Sequence, residues 1–393
     1  MDIKYNFDSL QRDALENIKQ VCVNKNIKGY IVGGAVRDAL LDIPPRDVDI
    51  CLELDPKELL PELDLEDYVY YDTFQTATAT FKNGIAIDLT RCRKEKYESE
   101  GSLPEVFPSD LSDDLKRRDF TVNAIAYDLV EGKLIDPYQG VADIKNKIIK
   151  SVHGKSYSED PTRIFRAVKY AVRYSFEIKD IDEIKKSINE NVLKFISNER
   201  YYKEIFSICC EEKWCEMLIK CNSMSIFKID IQNILKRNFL ADYRDANVRM
   251  LNFAYCIIGE DEIRRITDNS YIQKDLKKSL QSFVNGELQS LLLKAQDNYE
   301  IYSLLSNSSI FDRILLCYNY KLVYKLINFS RYAGFKLSLD GSYIKNQGVA
   351  EGMEIGEILG YIARIKLNIG ISDERKYFNE NLGEILDAVK YKA

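Results

Sequence analysis

The segment that decides the fold is Ile31-Val-Gly-Gly-Ala-Val-Arg-Asp38, followed by Arg46-Asp-Val-Asp-Ile50. Its first part predicts a short strand that ends in two glycines and opens into a helix. Backbone N–H groups at such a junction meet phosphate oxygens at the positive end of the helix dipole, although glycine pairs also occur in simple turns. Gly33 and Gly34 are therefore candidate phosphate-binding residues, with Arg37 as a bidentate contact one turn into the helix.

Two carboxylates in the second part, Asp47 and Asp49, are two residues apart in a predicted strand and should point to the same face. Adjacent carboxylates repel each other unless a cation lies between them, and hard oxygen ligands of this kind suit Mg²⁺. Asp88, in another predicted strand, is a candidate third carboxylate around two metal ions. The alternative is that Asp47 and Asp49 are solvated residues of an edge strand. Their apolar neighbours, Val48 and Ile50, favour a strand that is otherwise buried.

Length and composition exclude several classes of function. The chain has 393 residues, a formal charge of −6 and one histidine, His153. Its length indicates two or three domains, and a single histidine excludes histidine-rich metal sites and leaves little room for Ser-His-Asp chemistry. The nine cysteines follow no Cys-x-x-Cys spacing and the polar start does not look like a signal peptide, so we expect reduced thiols and a cytoplasmic protein. No run of about 18 apolar residues occurs, so we expect no membrane partner.

Sequence patterns divide the chain into two parts. In residues 1–150 strand-like and helix-like stretches alternate, and residues 77–81 and 85–89 read as strands around a two-residue hairpin turn at Asn83-Gly84. In residues 151–393 apolar residues recur at helical spacing, which predicts an almost entirely helical structure. The charge is −9 in the first part and +3 in the second. This asymmetry suits a carboxylate site beside a polyanion-binding body, although ordinary surface variation explains it equally well.

An acid and a base lie three residues apart where the helical part begins. The carboxylate of Asp160 can accept from the exocyclic amine that cytosine and adenine share, while the guanidinium of Arg163 donates to ring acceptors. Such a pair would select CTP and ATP against UTP and GTP. Arg166 lies three residues after Arg163 and would share its side of the predicted helix. The alternative is an ion pair within the helix, worth about 0.3 kcal/mol.

Taken in order, these motifs resemble those of the class II tRNA nucleotidyltransferases, which include the CCA-adding enzymes, and the related bacterial poly(A) polymerases of the polymerase-β-like superfamily. Further segments extend the resemblance along the chain: Lys116-Arg-Arg-Asp-Phe-Thr-Val-Asn-Ala124, Asp136-Pro-Tyr-Gln-Gly140 with Asp143, Glu159-Asp-Pro-Thr-Arg163, Glu199-Arg200 with Glu204, and Leu339-Asp-Gly341 with Gly348, Gly352, Gly356 and Leu359-Gly360. The resemblance implies an α/β polymerase-β-like nucleotidyltransferase head followed by an all-α, elongated neck, body and tail. The implied domains are a catalytic head at 1–150, a helical neck with base recognition at 151–235, and a tRNA-binding body and tail at 236–393.

The resemblance also assigns roles to individual residues. It implies that Asp47, Asp49 and Asp88 are catalytic and that Asp47 and Asp49 hold Mg²⁺ as the cofactor. The implied nucleotide-binding residues are Gly33, Gly34, Arg37, Arg118, Asn123, Asp160, Arg163, Arg166 and Lys169. Lys169 takes a position that is often arginine and lacks its planar fork. Residues 90–113 resemble the flexible loop used in switching from cytidine to adenosine addition, with Ser102-Leu103 in place of a basic pair.

The implied function is template-independent addition of CMP and AMP, from CTP and ATP, to the tRNA 3′ end with release of pyrophosphate. The alternatives are a CC-adding enzyme, an A-adding enzyme, a poly(A) polymerase, a non-catalytic RNA-binding relative, or nucleotidyl transfer to a small molecule. The long helical part exceeds what a small-molecule substrate needs. Candidate contacts to the RNA backbone are Lys194, Arg200, Lys203, Lys236 and Arg237. The sequence leaves the oligomeric state open.

Overall fold

The computed structural model describes residues 3–232, 245–257, 260–317, 319–332, 334–349 and 353–390. The chain divides into two compact units, one comprising Met1–Ala246 and Cys256–Asn269, the other Asn247–Tyr255 and Ser270–Ala393. The expected boundary at residue 235 and the candidate RNA contacts Lys236 and Arg237 lie outside the described residues. Within those ranges, no helix has both the length and the apolar character needed to cross a membrane.

Strands are concentrated in the first 150 residues, as predicted. In chain order the strands of the described residues are β1 (Gly29–Val32), β2 (Asp49–Leu52), β3 (Leu65–Tyr71), β4 (Thr76–Phe81), β5 (Ala86–Arg91), β6 (Arg93–Lys96), β7 (Glu105–Pro108), β8 (Ala126–Asp128), β9 (Leu134–Ile135), β10 (Ile148–Ile149) and β11 (Glu177–Ile178).

Helices make up most of the remainder. In residues 3–232 they are α1 (Ser9–Lys25), α2 (Gly34–Leu40), α3 (Leu111–Lys116), α4 (Gly140–Lys145), α5 (Ser156–Glu159), α6 (Thr162–Tyr174), α7 (Ile181–Asn189), α8 (Asn198–Cys209) and α9 (Trp214–Ser223). They continue along the chain as α10 (Ala246–Cys256), α11 (Glu260–Thr267), α12 (Lys274–Asn285), α13 (Glu287–Lys294), α14 (Asn298–Ser306), α15 (Ile310–Cys317), α16 (Tyr320–Ser330), α17 (Gly341–Asn346), α18 (Met353–Ile369), α19 (Glu374–Glu380) and α20 (Leu382–Lys390). The predicted fold class, a mixed α/β head followed by a mostly helical region, is confirmed.

Seven strands form one mixed sheet in the order β3-β4-β5-β2-β1-β8-β9. Only β2 and β5 run parallel among these neighbours, and the other pairs are antiparallel. The turn between β4 and β5 has three residues rather than the predicted two, because Phe81 bonds to Ile85 across it. Gly84 closes this turn with φ of +84°, a conformation that glycine adopts without a Cβ penalty.

One face of the sheet is covered over part of its width. Leu111 and Leu115 of α3 pack on that face against Tyr30, Cys51 and Ala126, which lie on β1, β2 and β8. The same helix carries charged residues at its C-terminal end. Strands β5, β4 and β3 continue the sheet from β2 to its other edge. The boundary between the part of the face that α3 covers and these three strands therefore lies next to the β2–β5 pair.

The second unit is built from helices with separate apolar clusters. One cluster joins α17 to α20 around Ile344, Ile358 and Phe378, and another joins α13 to α16. In the predicted tail motif, Asp340 caps α17 by accepting from the backbone N–H of Tyr343 at 2.9 Å. This part of the motif therefore has a structural role in starting α17. Its Gly352 lies outside the described residues.

Candidate active site

The candidate catalytic carboxylates lie on two neighbouring strands. Asp49, the first residue of β2, is paired in register with Asp88 of β5, so both side chains point to the same face. Burial raises the pKa of Asp49, and Arg118 opposes that rise. The charges of Asp88 and Asp47 raise it further. A carboxylate crowded by like charges in this way is stabilised by a bound cation.

Asp47 does not lie in the strand, contrary to the sequence prediction. Strand β2 begins at Asp49, and Asp47 is an exposed residue in the bend before it. The strand cannot begin earlier on the side of β1, because β1 ends at Val32, the partner of Asp49, and the chain then turns at Gly33. The alternation argument for a shared face therefore does not apply to Asp47, although its charge still acts on Asp49.

The carboxylates form a pair rather than a complete metal cage. In the described residues no group of three His, Cys, Asp or Glu side chains is placed to hold a metal ion. Mg²⁺ usually binds one or two carboxylates and completes its shell with waters and substrate phosphates. The pair formed by Asp49 and Asp88 fits that chemistry. Thr78 Oγ1 donates to Asp88 Oδ1 at 2.7 Å and fixes its orientation.

Gly33 brings a guanidinium next to this pair. Its φ is +70°, and a Cβ at this position would lie 2.7 Å from Arg118 Nη1 and 4.0 Å from Asp49 Oδ2. No side chain larger than hydrogen can therefore be placed there without moving Arg118. At Gly34 a Cβ would lie 3.4 Å from Arg37 Nη2. The glycine pair thus gives close approach to two guanidinium groups at the start of α2.

Arg118 is held by an aspartate that the sequence analysis did not single out. Asp114 of α3 is fully buried and accepts from Arg117 at 2.6 Å and from Arg118 at 2.9 Å. Burial alone would raise the pKa of Asp114, but the charges of Arg118 and Arg117 outweigh it and lower the pKa. The available signal was an acid three and four residues before two arginines, a spacing that brings side chains together in helical backbone.

Arg37 is buried rather than open to a triphosphate. Its guanidinium bonds to Asp38 at 2.8 Å and to Asn123 Oδ1 at 2.6 Å. It also lies 5.1 Å and 4.7 Å from the ring centroids of Tyr170 and Tyr174. Its side chain is only 5% exposed, so its contacts position Asn123 and α6.

A chain of hydrogen bonds continues from Asn123 to Arg166. Asn123 Nδ2 donates to Asp119 Oδ1 at 2.9 Å, and Arg166 Nε donates to Asp119 Oδ2 at 2.8 Å. Burial of Asp119 works against its charge, but Arg166 and Asn123 lower its pKa. Lys169, one turn further along α6, donates to Ser207 at 2.8 Å, and burial lowers its pKa.

Asp160 and Arg163 do not bond to each other. Asp160 Oδ1 accepts from Thr162 Oγ1 and from Arg200 Nη2, both at 2.6 Å. Arg163 is buried and donates to Ser156 Oγ at 2.7 Å and to the carbonyl oxygen of Arg117 at 2.8 Å. The alternative prediction, an ion pair between Asp160 and Arg163 within the helix, is therefore wrong. The backbone N–H of Thr162 also donates to Oδ1 of Asp160, at 3.1 Å.

The segment predicted as a flexible loop contains a β-hairpin, formed by β6 and β7. Between these strands, the amide of Gly101 donates to the carbonyl oxygen of Glu159 at 3.2 Å, and its own carbonyl accepts from Arg200 Nη1 at 2.7 Å. A Cβ on Gly101 would lie 2.7 Å from Cβ of Phe195. Arg200, a candidate RNA contact, is therefore occupied between this hairpin and Asp160.

The fold and site together combine a mixed sheet, a glycine turn into a helix, and carboxylates paired across two strands. Residues 29–150 match the family described as the poly A polymerase head domain, and the chain carries that domain. The motif resemblance to tRNA nucleotidyltransferases is confirmed.

Known relatives extend the similarity beyond the head. The A-adding tRNA nucleotidyltransferase of Aquifex aeolicus is 30% identical over 374 residues, covering 87% of this chain and 45% of that protein. The CC-adding tRNA nucleotidyltransferase of Deinococcus radiodurans is 39% identical over 149 residues, covering 36% of this chain and 40% of that protein. This chain thus spans about half the length of the curated relatives it matches, or less.

Among solved structures, an apo form of a CCA-adding enzyme matches with a TM-score of 0.77 and 24% identity. The match covers 96% of both chains. At this identity the likeness establishes the fold, and it includes the helical part as well as the head.

Proposed function

We propose that this protein is a template-independent tRNA nucleotidyltransferase of the CCA-adding type. It adds CMP and AMP, taken from CTP and ATP, to the 3′ end of tRNA and releases pyrophosphate. The observation that carries the proposal is the register pair Asp49–Asp88 beside Gly33 and Arg118. The relatives named for adding A or CC to tRNA support nucleotidyl transfer to a tRNA substrate. An enzyme that acts on tRNA in this way would work in the cytoplasm.

The protein's own groups bind and orient the reactants. The 3′-hydroxyl of the RNA would be placed against Asp49 and Asp88, in line with the α-phosphate of the nucleotide. Arg118, held by Asp114, would bind the phosphates near the start of α2, where backbone dipoles also favour negative charge. Asp47, Asp49 and Asp88 are the residues that would hold Mg²⁺. That ion, when bound, would stabilise the developing charge and lower the pKa of the attacking hydroxyl.

Base selection is proposed for Asp160 and its neighbours. Arg200 and Thr162 fix Oδ1 of Asp160, so Oδ2 is the atom oriented to accept from the exocyclic amine of cytosine or adenine. Arg163 keeps Asp160 near the head by bonding to the backbone of Arg117. Arg166 and Lys169 complete the proposed nucleotide site on α6.

The proposed domains keep the expected boundaries: a catalytic head at 1–150, a neck at 151–235 and a tRNA-binding body and tail at 236–393. The neck carries α6 with the base-reading residues. Lys194 and Lys203 remain candidate contacts to the RNA backbone.

Incubation with Mg²⁺, labelled CTP and ATP, and tRNA lacking its terminal CCA tests the proposal. We expect incorporation of both nucleotides by the wild type. Asp49→Asn should reduce incorporation by at least about 100-fold, because one charge of the carboxylate pair is lost. Asp64→Asn removes the same charge at an exposed surface pair with Lys82 and is the matched control. Failure of the wild type to incorporate either nucleotide refutes the proposed function.

Product sequence separates the remaining alternatives within the same fold. On one tRNA substrate, addition of CC alone, of A alone, or of a long A tail would assign the protein to the CC-adding enzymes, the A-adding enzymes or the poly(A) polymerases. Binding of RNA without transfer would favour a non-catalytic RNA-binding relative, and measurable binding of CTP with Mg²⁺ would weigh against it. This comparison is needed because Ser102-Leu103 replaces a basic pair in the segment that resembles the loop used in switching from cytidine to adenosine addition.

A further inference from the structure

Side chains from four adjacent strands lie in one row on the face that carries the carboxylates. Asp49 is paired with Asp88, Asp88 with Thr78, and Thr78 with Val69. Directly paired residues of neighbouring strands point to the same side of a sheet. The row therefore runs from the catalytic pair to Val69 on the edge strand β3. We call the part of this face formed by β5, β4 and β3 the open face.

Two apolar side chains stand exposed at the far side of the open face. Val69 is 50% exposed and Tyr71 is 53% exposed. Tyr71 shares the face because it lies two residues after Val69 and is paired with Thr76. The α3 packing described above covers β1, β2 and β8, so the carboxylates lie between the covered region and the open face.

Strand spacing gives the distance from these side chains to the reaction centre. Neighbouring strands lie about 4.8 Å apart, so Val69 is roughly 10 Å from Asp88 and Tyr71 roughly 12 Å from it. A nucleotide whose 3′-hydroxyl lies at the carboxylates would extend its base over this distance. Val69 and Tyr71 therefore lie within reach of the 3′-terminal nucleotide of the acceptor strand.

The chemistry of the open face fits a base better than a phosphate. Its side chains in β4 and β5 include the hydroxyls of Thr76, Thr78 and Thr90, and no lysine or arginine of β3, β4 or β5 shares the row with Val69. Asp67, also on this face of β3, would repel a phosphate. An aromatic ring beside small hydroxyls provides a surface on which any base can stack.

We propose that Val69 and Tyr71 form a stacking platform for the base at the single-stranded 3′ end of the acceptor RNA, holding its terminal hydroxyl at Asp49 and Asp88. This inference rests on the proposed function, because it assigns the place of one substrate of that reaction. The platform is independent of the nucleotide site, which lies on the other side of the carboxylates at Gly33. It therefore affects binding of RNA without affecting binding of CTP or ATP.

Tyr71→Ala tests the platform, and Tyr68→Ala is its matched control. Tyr68 lies on the same strand with 51% exposure, but it is paired with Ala79 and points to the opposite face. We expect Tyr71→Ala to raise the KM for tRNA lacking its 3′ end roughly tenfold, equal to about 1.4 kcal/mol, with the KM for CTP unchanged. Tyr71→Phe should retain wild-type values, and Tyr68→Ala should leave both constants unchanged.

A binding readout keeps the inference separate from the activity. An RNA hairpin with a single-stranded 3′ end and 2-aminopurine as its last base should lose fluorescence on binding to the wild type and keep it on binding to Tyr71→Ala. If the wild type transfers no nucleotide but quenches the probe, the proposed function fails and the platform stands. Equal effects of the Tyr71 and Tyr68 substitutions overturn the platform. So does loss of a dimer in Tyr71→Ala, which would assign the edge strand to a second copy.

Discussion

At the scale of single residues, Asp119 connects the head to α6, the helix that carries the proposed nucleotide-binding residues Arg163 and Arg166. Its carboxylate is 6% exposed and accepts from Asn123, from the backbone of Phe120 and from Arg166. Because Arg166 and Asn123 lower its pKa, the folded state holds the charged form more tightly than the unfolded chain does. Its contribution to stability is therefore complete above the unfolded pKa of about 3.9 and is lost as the pH falls through the lower folded value.

We expect Asp119→Asn to lower the free energy of unfolding at pH 7 by about 1–3 kcal/mol. The value is moderate because Arg166 is 40% exposed and water can solvate its charge after the substitution. Urea unfolding of both proteins between pH 2 and pH 7 measures it. The difference should shrink toward zero once the pH lies below the folded pKa of Asp119. A difference that stays constant down to pH 2 contradicts the role of the charge, and Asp64→Asn should change stability by less than about 0.5 kcal/mol.

The contacts of Arg37 in the structure differ from the contact that the sequence predicted for it. The sequence predicted a contact from Arg37 to the triphosphate, whereas the structure shows its donors on Asp38 and Asn123. Arg37→Lys keeps the charge but loses the planar fork. If Arg37 positions Asn123, the substitution lowers kcat about tenfold and leaves the KM for CTP nearly unchanged.

The matched control for Arg37 is Arg173→Lys. The guanidinium of Arg173 lies 5.9 Å from the ring of Tyr174, which Arg37 also contacts, but it bonds to Glu211. Steady-state kinetics should show wild-type values for this variant. A raised KM for CTP in Arg37→Lys, with kcat retained, would instead support the direct phosphate contact.

At the scale of elements, the docked end of the β6–β7 hairpin depends on one glycine. Gly101 has φ of +69°, and a Cβ there would lie 3.0 Å from the backbone of Phe195, which cannot move cheaply. We expect Gly101→Ala to release the hairpin, to speed amide hydrogen exchange in residues 97–104 about tenfold and to reduce nucleotide incorporation. Gly154→Ala, where a Cβ meets nothing within 4 Å, should change neither. Unchanged exchange in Gly101→Ala would show that the hairpin is held by other contacts.

The elements that sequence patterns predicted are those with local signals. Strands β1, β2, β4 and β5 follow apolar or alternating runs, and all four are present. Strand β3 was not predicted, because five of its seven residues are exposed at the sheet edge and no alternation results. Strand β6, Arg93-Lys-Glu-Lys96, carries four charged residues, so only its pairing with β7 makes it a strand.

Several side-chain contacts of the site join residues that are far apart in sequence and were not predicted. The spacing of Asp160 and Arg163 suggested a pair, but the partner of Asp160 is Arg200, forty residues away. Likewise, the sequence could select Gly33 and Arg118 separately, while their contact depends on how α3 packs over β1. Long-range packing chooses these partners, and one sequence contains no direct signal of it.

At the scale of the whole molecule, the first part is acidic, but local positive charge would allow it to bind an anionic substrate. The net charge of −6 would repel a nucleotide, yet Arg118 lies beside the carboxylates, and the proposed Mg²⁺ ion would neutralise them. Nucleotide binding should therefore depend on the metal more strongly than on the protein's overall charge.

Scanning calorimetry with and without Mg²⁺ tests this dependence on the intact chain. At CTP concentrations about 100 times Kd, Mg²⁺ and CTP together should stabilise the folded state by about 2.7 kcal/mol, which raises Tm by about 5 °C. With EDTA in place of Mg²⁺, the crowded pair of Asp49 and Asp88 repels the triphosphate, and the shift should fall below about 1 °C. Asp49→Asn should lose most of the Mg²⁺-dependent shift, while Asp64→Asn should keep it. An equal rise of Tm in EDTA would mean that arginines alone hold the nucleotide, and the carboxylate pair would then lack its proposed role in binding.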